Sequence, residues 1–249
     1  MIMAVGLASG LVVLLALGAV MLRGVKYLYG RELSVRLQPT GVKPVTRSGS
    51  STGERVLFLG DSRAAEWPPL PAGRFLTLNA GVDGETTAQI RLRTETTLLA
   101  EGPAVVVLQA GINDLKAIGV LPGQAASIES HCLDELREIV RLCRRHDARV
   151  ILTLILPPGR VSPVRRLFWS PEIDAAVERV NQSLTRQFAG VPGVSVLDLA
   201  PILPARRLNQ TDFSDYRDTL HLKPAAYAAL EPGLLHSIEQ LSGSPAPPP

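Results

Sequence analysis

Residues 55–63 read Arg-Val-Leu-Phe-Leu-Gly-Asp-Ser-Arg, an apolar run that stops at a glycine and then presents a serine. The apolar run predicts a short buried strand, because strands of a parallel sheet are covered on both faces. Ligand sites of open α/β sheets lie beyond the carboxyl ends of such strands. The stretch therefore places the hydroxyl of Ser62 at the rim of a parallel sheet, although Gly-Asp-Ser alone is also a common turn.

Short apolar runs alternate with helical patterns along the rest of the chain. The runs are rich in Val, Leu and Ile and are apolar on both faces, which is typical of buried parallel strands. They cover Arg55–Leu59, Phe75–Asn79, Ala104–Gln109, Arg149–Ile155 and Val194–Asp198. Patterns with a period of 3.6 lie between them, and one predicted helix begins at Pro171 after the N-cap Ser170. The alternation predicts a three-layer α/β/α sandwich with a five-stranded parallel sheet over residues 54–241.

The amino-terminal segment, residues 1–22, contains no charged side chain. As a helix it would be about 33 Å long, and the hydrocarbon core of a bilayer is about 30 Å thick. No Lys or Arg precedes the run, and it is longer than the apolar region of a secretory signal peptide. We therefore expect residues 1–30 to be an uncleaved single-pass transmembrane helix with its basic flank, rather than a cleaved signal.

Basic residues follow this segment at Arg23, Lys26, Arg31 and Arg36. By the positive-inside rule they place the following domain in the cytoplasm. Uncleaved anchors that export their domain also exist, so a periplasmic or extracellular domain is the alternative.

Composition marks two further segments. Residues 31–53 hold several Pro and Gly residues and a Ser-Gly-Ser-Ser run, which is typical of a flexible linker. Residues 242–249 contain only Ser, Gly, Ala and Pro, which predicts a disordered tail. The net charge is only +3, and no dense basic run is interleaved with aromatic residues, so nucleic acid is not an expected partner.

Two motifs follow the second and third predicted strands. Residues 79–87 read Asn-Ala-Gly-Val-Asp-Gly-Glu-Thr-Thr, and the two glycines leave main-chain N–H groups that can bind an oxyanion. Residues 110–114 include Asn113, whose side-chain amide can donate to the same point. Taken alone, the first of these motifs is better explained as an ordinary glycine-rich βα turn, and Asn113 is equally compatible with a helix cap or an Asx turn.

The last motif, residues 218–222, follows the fifth predicted strand and contains the base that a serine nucleophile needs. His221 can act as a general base at neutral pH, and Asp218, three residues earlier, can hold its ring. No Gly-x-Ser-x-Gly stretch follows a predicted strand, since the one copy, residues 49–53, precedes the first of them; this argues against the α/β-hydrolase scheme. Together the four motifs predict acyl transfer at Ser62.

With these motifs the chain resembles the SGNH hydrolases, also called the GDSL esterase and lipase family. The four letters match Ser62, a glycine of the second motif, Asn113 and His221. The resemblance covers residues 55 to about 240, and the forms of the second and last motifs are most similar to bacterial esterases of the platelet-activating-factor acetylhydrolase branch. It implies the flavodoxin-like fold of that family and a carboxylic ester hydrolase.

The resemblance also implies roles for single residues. Ser62 is the nucleophile, His221 the base and Asp218 its orienting acid. The oxyanion hole consists of the main-chain N–H groups of Ser62 and Gly84 and the side chain of Asn113. Gly84 is preferred to Gly81 because the second glycine, before Glu-Thr, matches the family's donor.

Three neighbouring residues belong to the same motifs without a catalytic role. Asp61 and Asp114 are expected to hold the turns in which they lie. Arg63 stands where the family usually has leucine. Its charge could lie near the site and favour an acidic substrate, but pairing with a nearby carboxylate is the preferred interpretation.

The implied reaction needs no metal or organic cofactor, and the two Cys and four His residues show no ligand spacing. The expected substrate is a small-molecule, lipid or carbohydrate ester, such as a short-chain ester, an acetylated sugar or a lysophospholipid. The membrane is an expected partner only through the amino-terminal helix. Two alternatives stay open: an O-acyltransferase with the same triad, and a membrane-tethered binding module on an inactive hydrolase scaffold.

Overall fold

The computed structural model describes residues 12–26, 44–163, 165–203 and 214–242. The chain divides into two compact units, Met1–Val42 and Lys43–Pro249. In the first unit, residues 12–26 form helix α1, whose large apolar side chains are exposed. Within the described ranges, no helix combines the length and the apolar character needed to cross a bilayer. The predicted anchor includes residues 1–11, which lie outside these ranges, so membrane attachment stays a prediction.

The second unit is built on a mixed sheet of six strands in the order β1-β3-β2-β4-β5-β6. The strands are β1 (Thr46–Gly49), β2 (Glu54–Gly60), β3 (Phe75–Gly81), β4 (Val105–Gln109), β5 (Arg149–Thr153) and β6 (Val194–Leu197). Strands β2 to β6 pair in parallel and are the five strands that the apolar runs predict. Strand β2, which leads to Ser62, has a partner on each side.

Strand β1 shows that two predictions were wrong. The sheet has six strands instead of five, and β1 pairs antiparallel with β3, so the sheet is not purely parallel. The strand also lies inside residues 31–53, which were expected to be a linker. Because β1 is a mostly exposed edge strand, main-chain hydrogen bonds hold it and no apolar run marks it in the sequence. The predicted linker up to residue 43 and the predicted tail from residue 243 lie outside the described residues.

Helices cover both faces of the sheet. They are α2 (Ser62–Ala65), α3 (Thr87–Glu101), α4 (Ile112–Leu115), α5 (Ala125–Arg145), α6 (Pro171–Phe188) and α7 (Pro224–Ser242). One apolar cluster joins α3, α5 and α6 to one face, and a second cluster joins α7 to the other. Leu57 and Leu59 of β2 enter the first cluster, whereas Val56 and Phe58 enter the second, as the two-residue period of a strand requires. The layers are those that the alternation of strands and helices predicts.

Candidate active site

The carboxyl ends of three neighbouring strands bring the first three motifs to one edge of the sheet. In the strand register, Gly60 of β2 lies opposite Gly81 of β3 and Gln109 of β4. Each motif continues from one of these strand ends. The loops that contain Ser62, Gly84 and Asn113 therefore leave the sheet side by side.

The turn after β2 presents Ser62 through a short capped helix. Asp61 is the N-cap of α2, and its Oδ1 accepts the main-chain N–H of Arg63 at 2.9 Å. Asp61 is almost fully buried, and burial raises the pKa of its carboxyl from 3.8 to about 6, against the lowering effect of the Arg63 charge. Ser62 is the first helical residue, where a main-chain N–H has no acceptor within the helix.

A hydrogen-bonded relay joins Ser62 to the last motif. His221 Nε2 lies 3.0 Å from Ser62 Oγ, and His221 Nδ1 lies 2.7 Å from Asp218 Oδ2. The other carboxylate oxygen of Asp218 accepts the main-chain N–H groups of Leu220 at 2.8 Å and His221 at 3.0 Å. One aspartate thus holds both the ring and the backbone of the histidine.

The charge of Asp218 determines which ring nitrogen of His221 carries the proton. Partial burial raises the pKa of its carboxyl, but the hydrogen bonds from Leu220 and His221 lower it more, to about 2. An ionised carboxylate can only accept, so Nδ1 of His221 carries the proton in the neutral ring. Nε2 is then the acceptor that faces the hydroxyl of Ser62.

Asn113 is held in one orientation by contacts at both ends of its amide. Its Nδ2 donates to the Glu85 carbonyl at 2.9 Å, and its Oδ1 accepts from Lys116 Nζ at 2.6 Å. An amide nitrogen has two N–H donors, of which Glu85 takes one. Gly84, which precedes Glu85, has a φ of 79°, a left-handed conformation that favours glycine.

Asp114 connects the third motif to the second. Its carboxylate accepts the hydroxyl of Thr87 at 2.7 Å and the main-chain N–H of the same residue at 3.0 Å. Burial raises the pKa of this carboxyl. Asp114 therefore ties the loop of Asn113 to the first turn of α3, which fits the structural role expected for it.

Two residues beside the site have contacts that sequence reasoning missed. Arg63 is buried, and its guanidinium donates to the main-chain carbonyls of Leu220 and Leu156, so the preferred interpretation, pairing with a carboxylate, was wrong. Main-chain acceptors leave no mark in the sequence. Lys116 lies three residues after Asn113, and that spacing was a usable signal because residues three apart meet on a helical turn.

The described residues also line a cavity of about 1330 Å³ between the segment after β5 and helix α6. None of Ser62, Asp218 and His221 is among its lining residues. We place the candidate site at the relay, because the chemistry depends on the mutual positions of the hydroxyl, imidazole and carboxylate.

A family model described as the GDSL-like lipase/acylhydrolase family matches residues 48–229. Among curated proteins, none matches this chain. The family match covers all four motifs and most of the second unit.

Solved structures with the same fold include several enzymes that act on esters. A GDSL-like lipase from Bacteroides thetaiotaomicron is 20% identical, with a TM-score of 0.58, over 75% of this chain and 88% of its own. A Streptococcus pneumonia protein whose description names platelet activating factor is 22% identical, with a TM-score of 0.59, over 76% and 86%. An acetylxylan esterase from Geobacillus stearothermophilus is 16% identical, with a TM-score of 0.56, over 78% and 96%. At these identities the likeness shows the fold.

Proposed function

Because the chain belongs to the GDSL-like lipase/acylhydrolase family, we propose that it hydrolyses carboxylic esters through an acyl-enzyme formed on Ser62. The observation that carries this proposal is the relay from Ser62 Oγ to His221 Nε2 at 3.0 Å and from His221 Nδ1 to Asp218 at 2.7 Å. A serine hydroxyl is a poor nucleophile until a base takes its proton, and this arrangement supplies an oriented base.

In the first step, Ser62 Oγ attacks the ester carbonyl while His221 Nε2 takes the hydroxyl proton. The carbonyl π bond breaks and its oxygen becomes an oxyanion. The N–H groups of Ser62, Gly84 and Asn113 are the proposed donors to it, since each comes from one of the three adjoining loops. His221 then gives its proton to the leaving alcohol, and the acyl-enzyme remains.

In the second step, water takes the place of the alcohol. His221 accepts a proton from the water as the water oxygen attacks the acyl carbon. Collapse of the new oxyanion releases the carboxylic acid and returns the proton to Ser62 Oγ. Asp218 stays ionised throughout and stabilises the imidazolium that forms in each step.

Acetyl esters are the first substrates to test. Three of the solved structures with this fold are described as an acetyl xylan esterase, a carbohydrate acetylesterase and an acetylxylan esterase. A series of p-nitrophenyl esters from acetate to palmitate separates a short-chain esterase from an enzyme that needs a long acyl chain.

The decisive experiment compares full-length wild type with Ser62→Ala and with Ser130→Ala, whose serine is exposed on α5. We expect wild type and Ser130→Ala to hydrolyse p-nitrophenyl acetate and to react with a fluorophosphonate probe, and Ser62→Ala to do neither. Equal hydrolysis by all three proteins rejects Ser62 as the nucleophile. A wild type that neither reacts with the probe nor hydrolyses esters favours the binding module. Acyl transfer to added alcohols, faster than hydrolysis, favours the acyltransferase.

A further inference from the structure

The residue directly after Ser62 is an arginine with a buried side chain. Arg63 is only 2% exposed and is one of the largest fully enclosed side chains of the protein. Arginine is seldom buried, because removal of its charge from water costs several kcal/mol unless hydrogen bonds compensate. The position therefore needs a structural reason.

The guanidinium connects two further elements of the site to the Ser62 turn. Nε donates to the carbonyl of Leu220 at 2.8 Å, and Nη1 donates to the carbonyl of Leu156 at 2.5 Å. Leu220 is the residue immediately before His221, within the loop that Asp218 organises. One side chain thus joins the nucleophile turn, the segment after β5 and the histidine loop.

The main chain of Arg63 is fixed as well. Its N–H donates to Asp61 Oδ1 at 2.9 Å, and its carbonyl accepts the hydroxyl of Tyr227 from α7 at 2.9 Å. A guanidinium with an anchored backbone holds its acceptors at a set distance, because its donors form a planar, rigid fork. The position of the Leu220 carbonyl is consequently set relative to the Ser62 turn.

Most other hydrogen bonds of the histidine loop reach the segment after β5 instead of the Ser62 turn. Gly159 N–H donates to the carbonyl of Thr219 at 2.8 Å, but Gly159 belongs to the segment after β5. The Arg217–Glu66 ion pair does reach the end of α2, at 2.7 Å, but the Arg217 side chain is 56% exposed. Exposed ion pairs typically contribute about 0–1 kcal/mol.

We propose that Arg63 is a positioning residue that sets the distance between Ser62 Oγ and His221 Nε2 through the carbonyl of Leu220. The inference rests on the proposed serine esterase function. The guanidinium touches no reacting atom. It acts by keeping the base within hydrogen-bond reach of the nucleophile, and a displacement of about 1 Å in such a pair can cost about 100-fold in rate.

The test compares wild type, Arg63→Met and Arg63→Lys with p-nitrophenyl acetate as the substrate. Methionine fills much of the same volume without a donor, whereas lysine keeps one donor group. We expect Arg63→Met to lower kcat about 10- to 100-fold with KM changed less than about 2-fold, and Arg63→Lys to recover part of the loss. Glu66→Gln, which removes the exposed ion pair, serves as the matched control with kcat close to wild type.

Titration of active sites with the fluorophosphonate probe separates positioning from folding. We express kcat per labelled site, so a smaller folded fraction does not count as a slower enzyme. Arg63→Met with a wild-type kcat per site overturns the proposal, even if fewer sites are labelled. Equal losses in Arg63→Met and Arg63→Lys also overturn it. A wild type that is inactive and unlabelled rejects the proposed esterase function. An active wild type with an equally active Arg63→Met rejects only the role of Arg63.

Discussion

The carboxylate of Asp218 contacts His221 twice: Oδ2 lies 2.7 Å from Nδ1 of the ring, and Oδ1 accepts the main-chain N–H at 3.0 Å. The three-residue spacing makes this possible, because the chain turns back so that the acid faces both groups. The hydrogen bond from the main-chain N–H of Leu220 and these two from His221 outweigh partial burial and lower the pKa of Asp218 to about 2. The ring orientation of His221 therefore depends on a group that stays ionised at every ordinary assay pH.

Asp218→Asn should lower kcat for p-nitrophenyl acetate by about 10²- to 10⁴-fold, because an amide can donate to Nδ1 and so favour the wrong tautomer. The lowered pKa means that the ionised carboxylate stabilises the folded state, so its loss should also reduce the free energy of unfolding at pH 8, by a modest amount because Asp218 is half-exposed. Stopped assays at pH 8 and urea denaturation measure the two quantities. Asp134→Asn on the exposed side of α5 is the matched control. A variant that keeps more than half of the wild-type kcat contradicts the role of Asp218.

Asn113→Ala should lower kcat by about 10²- to 10³-fold, the usual cost of a lost oxyanion donor. Lys116 contacts the oxygen of the same amide at 2.6 Å. We expect Lys116→Met to lower kcat about 10-fold, because a cation at Oδ1 fixes the amide and strengthens its N–H donors.

The double variant isolates this effect. If Lys116 acts through Asn113, Lys116→Met causes no further loss in the Asn113→Ala background. The measurement is kcat for p-nitrophenyl acetate in all four proteins. Independent, multiplicative losses would show that Lys116 acts elsewhere, for example on the substrate itself.

Residues of the candidate site could be predicted because each lies in a loop that follows a strand and carries a side chain suited to one chemical task. Ser62, Asn113 and His221 are marked in this way, and the structure brings Ser62 and His221 into contact. Arg63 could not be interpreted correctly, because its partners are the carbonyls of Leu220 and Leu156, which any residue type would supply. A side chain whose partners are main-chain carbonyls has no partner residue type that the sequence could reveal. Its burial would indicate such contacts, but the burial of a single arginine cannot be read from the sequence.

The fold shows the same difference between side-chain and main-chain signals. Buried strands such as β2 need apolar residues on both faces and are visible as runs, and α6 begins at Pro171 with Ser170 as its cap, as predicted. Strand β1 needs only the main-chain partners that β3 offers, so its polar residues looked like a linker. Helix α3 contains four threonines, which are β-branched and weak helix formers, but Thr94 is buried and donates its hydroxyl to the Ile90 carbonyl at 2.8 Å.

Asp61 should make stability depend on pH between about 4 and 6. Its carboxyl releases a proton near pH 3.8 in the unfolded chain and near 6 when buried, so the folded state binds more protons between these values. The contribution of Asp61 to the free energy of unfolding is therefore fully present below about pH 4 and is lost as the pH rises through 6. A shift of about two pKa units corresponds to about 3 kcal/mol.

Asp61→Asn should remove this dependence, since an amide does not titrate but can still cap the helix. We expect the variant to match wild type near pH 4 and to be more stable at pH 8, by up to about 3 kcal/mol. Urea denaturation at four pH values between 4 and 8 measures the difference. Parallel curves for the two proteins would show that the carboxyl of Asp61 titrates at its ordinary pH.

Gly81→Ala, at the end of strand β3, should displace the turn that contains Ser62. A Cβ at Gly81 would overlap the main-chain nitrogen of Ala65, the last residue of the short helix that begins with Ser62. Because the overlapping atom belongs to the main chain of α2, the clash is relieved only if α2 or β3 moves. We therefore expect a loss of about 1–3 kcal/mol in the free energy of unfolding. The kcat per labelled site should also fall, because Ser62 moves relative to His221.

Gly123→Ala, where an added Cβ meets no atom within 4 Å, should leave both quantities near wild type. Equal stability of Gly81→Ala and wild type would mean that the approach of β3 to α2 is looser than the structure indicates.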